Sequence, residues 1–104
     1  MAYQSALTAL ADPTRRALLE RLRDGPQAVS QIAAGMPVSR PAVSQHLKAL
    51  KAAGLVTDEA RGTARIYRIH GDGLRELREW LDTFWEDALA RFKDYAEAET
   101  DERR

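Results

Sequence analysis

SRPAVSQHLKALKAAG, residues Ser39–Gly54, is the stretch that decides how this chain is read. A serine opens it, Pro41 sits in its first turn where a missing N–H costs little, and Gly54 closes it. Val43, Leu47 and Leu50 recur at helical spacing and mark one apolar side. Ser44, Gln45, Lys48 and Lys51 fall mostly on the other side, with Arg40 in the first turn. A helix of about 14 residues divided in this way suits the DNA major groove, which admits one helix and presents base edges to Ser, Gln, Lys and Arg.

Upstream, Tyr3–Leu10 is weakly helical, and Asp12-Pro13 restarts the chain as an N-cap followed by a favoured first helical residue. The next helix runs to about Arg23, turning Ala17, Leu18 and Leu22 inward, before Asp24-Gly25-Pro26 stops it. A short helix over Val29–Ala34 follows, then the tight turn Gly35–Val38. Downstream the period changes to that of strands: Leu55–Ala60 and Thr63–Ile69, joined at Arg61-Gly62, predict a β-hairpin. A last helix is predicted from an N-cap at Asp72 to about Ala96, roughly 24 residues or about 36 Å long. It carries apolar residues three and four apart from Leu74 to Tyr95. Two short helices, a tight turn and a hairpin describe a mostly α fold with a small β wing, a winged helix-turn-helix with a long C-terminal helix. Residues 1–96 read as one DNA-binding and dimerisation domain and 97–104 as a charged, flexible tail.

Composition narrows the function. The 104 residues fit a single domain, and the absence of cysteine excludes disulfides, thiolate metal sites and a catalytic thiol. The opening residues lack the pattern of a signal peptide and no apolar run reaches membrane-spanning length, so the expectation is a cytoplasmic protein with no membrane partner. Sixteen Lys/Arg balance sixteen Asp/Glu, yet residues 13–70 hold ten cations and four acids, whereas residues 71–104 hold six and eleven. That asymmetry points to a polyanion at one face.

Three stretches resemble the ArsR-type (arsenical-resistance repressor) family of bacterial winged-helix regulators: ALADPTRRALLERL at 9–22, SRPAVSQHLKALKAAGLV at 39–56 and RGTARIYRI at 61–69. REWLDTFWEDALARFKDY is similar to a subgroup with a long aromatic C-terminal helix. The resemblance implies a homodimeric transcriptional repressor on double-stranded DNA. It implies that Ser44, Gln45 and Lys48 face bases or phosphates, that Arg40 and Lys51 lie on the backbone, and that Arg61, Thr63 and Arg65 of the wing add contacts. The chain departs from the metal-sensing members: the helix before the reading helix is VSQIAAG and offers no ligand. A site drawn from His70, Asp72 and Glu76 fits no usual ligand pattern, so neither a metal nor a cofactor is expected.

Other features have plainer readings. His46, at the edge of the apolar side of its helix, is read as structural; Gly71-Asp72-Gly73 is too short for a phosphate cradle and lacks the lysine. Glu76, Glu79, Asp82, Glu86 and Asp87 form a solvated face, and no nucleophile–base arrangement stands out, so an enzyme is not expected. Trp80, Phe84, Trp85, Phe92 and Tyr95 are more aromatics than a small winged body buries. Core packing accounts for some of them; Phe84, Trp85 and Phe92 with Leu7, Leu10, Leu77, Leu81, Ala88 and Leu89 predict a symmetric dimer interface. Two alternatives remain: a winged protein-interaction module that has left DNA, and a sensor released by a small organic effector.

Overall fold

The structure is a computed structural model and describes residues 2–102. Five helices and three strands run in the order α1 (Ala2–Ala11), α2 (Pro13–Arg21), β1 (Gln27–Ala28), α3 (Val29–Ala34), α4 (Arg40–Ala52), β2 (Val56–Arg61), β3 (Ala64–Ile69) and α5 (Gly71–Glu102). A 3-10 turn, Leu22–Asp24, extends α2.

Local signals fix the helix ends. Asp12 Oδ1 accepts the N–H groups of Thr14 at 2.8 Å and Arg15 at 3.1 Å. The Arg15 N–H chiefly, with Thr14, Arg15 and His46 adding to it, holds that carboxyl below the ordinary aspartate range. His46 is half-buried. Ser39 Oγ accepts the Ala42 N–H at 3.3 Å and starts α4. At the other end, Leu55 N–H reaches Leu50 O and Gly54 N–H reaches Lys51 O, both at 3.0 Å. Gly54 takes φ 76° there, a left-handed cap of Schellman type that turns the chain into the wing.

The core lies where α2, α3, α4 and the sheet meet. Leu18, Ile32, Val43, Leu47, Leu50 and Leu55 are fully buried, and Ala6 and Ala9 bring α1 onto the same cluster. The sheet is antiparallel in the order β1-β3-β2. The hairpin pairs Val56 with Ile69 through to Arg61 with Ala64, and Gly62 at φ 59° makes the turn. Arg61 thus ends a strand where the sequence suggests a turn, because Gly62-Thr63 supplies both turn residues. β1 is only two residues long, too short to show a strand pattern, and the sequence gives no sign of it.

α5 differs from expectation at both ends. It starts at Gly71, so Asp72 lies inside it and does not cap it; the Asp72 carboxylate holds the side chains of His70 at 3.1 Å and Arg75 at 2.9 Å, and the Gly73 N–H bonds Gly54 O at 3.1 Å. A Cβ on Gly73 would lie 2.7 Å from Gly54 O and 2.9 Å from Ala53 O, so this approach admits only glycine. The helix does not stop near Ala96 but continues to Glu102, since Ala and Glu favour helix without needing an apolar face; residues 103 and 104 of the expected tail lie outside the described residues. The first turns of α5 lean on α1, where Tyr3 and Trp80 stack at 5.1 Å and 9°. The rest projects from the body, giving the molecule a long axis of 72 Å.

Candidate nucleic-acid interface

α4 and the wing flank a shallow cleft of about 240 Å³. Arg40, Ser44 and Lys48 enter it from α4, and Thr63 and Arg65 from the hairpin. Five of the eight residues expected to contact DNA therefore converge on one surface, with Ala28, Val29 and Tyr67 among the residues beneath them. Arg40 occupies the first turn of a 13-residue helix, where N–H groups and the helix dipole favour anions.

The other three sit differently. Gln45 is exposed on α4 beside the cleft. Lys51 bends away to the hairpin, its ammonium 2.7 Å from Asp58. Arg61 lies outside the cleft and pairs with Glu59 at 3.2 Å. Asp58 is the residue that sequence reasoning missed. Its side chain is 6 % exposed and also takes Arg65 at 3.1 Å, so one carboxylate joins α4, β2 and β3. The hydrogen bond from Lys51 holds its carboxyl below the ordinary range, with Arg65 adding to the effect. Burial and the same carboxylate push the Tyr67 hydroxyl up. The strand alternation of β2 and β3 was the one available signal, since it puts positions 58, 65 and 67 on one face.

A second surface lies on α5. Phe84 is 61 %, Trp85 64 % and Phe92 69 % exposed, with Leu81, Ala88, Leu89 and Tyr95 exposed on the same helix and Leu7 exposed on α1. Leu10 and Leu77, also expected at a dimer interface, are half-buried and pack against this chain's own core. Among the described residues no group of three or more His, Cys, Asp or Glu side chains gathers as a metal site, and none of the helices is long and apolar enough to cross a membrane.

A helix-turn-helix domain model matches residues 10–59. The HTH-type transcriptional regulator Rv2034 of Mycobacterium tuberculosis is 53 % identical over 93 % of this chain and 91 % of its own length. An ArsR-like transcriptional regulator from Rhodococcus sp. RHA1 superposes with a TM-score of 0.72 at 36 % identity, covering 91 % of this chain and 92 % of that one. The chain belongs to the ArsR family. The homodimeric winged helix-turn-helix DNA-binding domain of Mb0332 from Mycobacterium bovis, a further relative, gives a TM-score of 0.67 at 30 % identity over 86 % of this chain and 83 % of that one. As an ArsR-family winged helix-turn-helix protein, this chain is a DNA-binding transcriptional regulator and not an enzyme.

Proposed function

We propose that this regulator is a homodimeric repressor whose two α4 helices enter successive major grooves of an inverted-repeat operator, about one helical turn apart. The convergence of Arg40, Ser44, Lys48, Thr63 and Arg65 on one cleft is the observation that carries this reading. Lys48, Arg40 and the wing cations supply salt-dependent affinity for phosphate, and Ser44 with Gln45 reads base edges. Repression follows from occupying a promoter in the cytoplasm. The exposed aromatics of α5 are the pairing surface, and the homodimeric relative supports that assembly.

The test is fluorescence anisotropy with labelled duplex from upstream of the protein's own gene against scrambled duplex, over a salt series. Tight, steeply salt-dependent binding to the upstream duplex and much weaker binding to the scrambled one are expected. Lys48→Ala weakens binding to every duplex and lowers the salt slope by about one, whereas Gln45→Ala relaxes preference at one or two positions. Equal, weak binding to both duplexes would leave either a distant operator or the protein-interaction reading. A small organic effector, if one acts, would have to bind among the α5 aromatics where the two copies meet, beside Trp85. Ligand-dependent quenching of Trp85 fluorescence would detect it.

A further inference from the structure

The wing carries its charge in two layers. Side chains alternate along a strand, so Asp58 and Arg65 lie on the hairpin face turned to α4, while Glu59, Arg61 and Arg68 share the opposite face. Each layer sets two cations on one carboxylate. On the inner face Asp58 holds Lys51 and Arg65. On the outer face Glu59 Oε1 accepts from Arg61 at 3.2 Å and from Arg68 at 2.6 Å. The Asp58 side chain is 6 % exposed and that of Glu59 43 %.

The inner layer has a structural purpose, since it ties the reading helix to the hairpin. The outer layer joins β2 to β3, which the full register from Val56↔Ile69 to Arg61↔Ala64 already joins. Exposed pairs of this kind add little to stability. Their effect falls on whatever else those guanidiniums could bind. Arg61 is the last residue of β2, beside the hairpin turn, and its side chain is drawn back to Glu59 rather than left free at the tip.

We propose that Glu59 restrains DNA affinity by holding Arg61 and Arg68 in reserve, so that the outer wing gains a phosphate only by giving up a carboxylate. This rests on reading α4 and the wing as the DNA-binding face. Phosphates carry no base identity, so the restraint lowers affinity for operator and random duplex alike and leaves sequence choice to α4.

Glu59→Gln removes the charge and keeps the size. In the full-length protein it should bind a labelled random duplex about 3- to 10-fold more tightly at ~0.1 M salt, with a slope of log K against log salt steeper by about one. The melting temperature should stay unchanged, which a purely structural role for Glu59 would not predict. Adding Arg61→Ala and Arg68→Ala to Glu59→Gln should abolish the gain. Unchanged or weaker binding by Glu59→Gln, or a gain that survives loss of both arginines, would overturn the proposal. Lys48→Ala, measured alongside, judges the reading face separately: its failure to weaken binding would count against that face, whatever Glu59→Gln does.

Discussion

α4 and α5 show the same three-and-four spacing of apolar residues, and they use it in opposite ways. In α4, Val43, Leu47 and Leu50 have no solvent exposure at all, because α2, α3 and the start of the wing close over them. Along α5, Leu74 and Leu77 reach the core, but from Leu81 onward the stripe is open: Phe84, Trp85 and Phe92 are all more than half exposed. Periodicity therefore tells which side of a helix is apolar and not what covers it. The body is complete within one chain, whereas the distal helix carries a surface that one chain does not bury.

The sharpest way to break that contrast is to strip the distal stripe. Phe84→Ser combined with Trp85→Ser should weaken self-association by at least 100-fold, since buried aromatic anchors at interfaces are worth about 2 kcal/mol or more apiece. Sedimentation equilibrium would read this as monomer at micromolar concentration, with the helical signal of the body retained. A single stable dimer in that variant would mean that the stripe is not the pairing surface. Leu47→Ala tests the other side. A cavity in the closed core should cost about 2–5 kcal/mol in chemical denaturation, at any protein concentration.

Asp58 lies on the body's side of the comparison. Asp58→Asn should lower stability by about 1–2 kcal/mol at neutral pH, because Lys51 and Arg65 lose a charged acceptor. The sign with pH follows from its depressed pKa. The folded state binds the proton less readily than the unfolded one, so the carboxylate's contribution is present above about pH 4 and disappears as pH falls through the lowered folded value. Thermal melts from pH 7 to 3 should fall less steeply in Asp58→Asn than in the parent chain. The smallest effect belongs to the distal helix: Lys93 and Glu97, 4.0 Å apart and exposed, should contribute below ~0.5 kcal/mol, so Lys93→Ala should leave the melting curve in place.

Much of the fold was legible because local chemistry agreed with the final packing. Asp12-Pro13, Ser39 with Pro41 and Gly54 each act within a few residues, and each marks the helix end that the sequence suggests. What was not legible depends on partners distant in sequence. β1 exists only because β3 pairs with Gln27 and Ala28. α5 begins before Asp72 rather than after it, where the Gly73 N–H meets a carbonyl 19 positions back in the α4–β2 turn. The cleft follows the same division. Ser44 and Lys48 share a helical face with Arg40, and this could be read directly, but that Lys51 turns to Asp58 depends on how α4 meets β2, and that Arg68 joins Arg61 on Glu59 depends on the register of the hairpin. A helical wheel shows which cations are solvent-facing and is silent on which of them already have an acid.

The contact of Gly73 with the Gly54 carbonyl has a geometric consequence. It fastens the root of α5 to the exit of α4, with no side chain between them to flex. In a two-fold assembly through α5, the angle between the long helices is passed on to the reading helices as through a rigid bracket. Under the pairing proposed above, the span between the two half-sites would be set at this glycine seam, close to the body, and lengthening or trimming the far end of α5 would alter how firmly the copies hold together while leaving that span as it is.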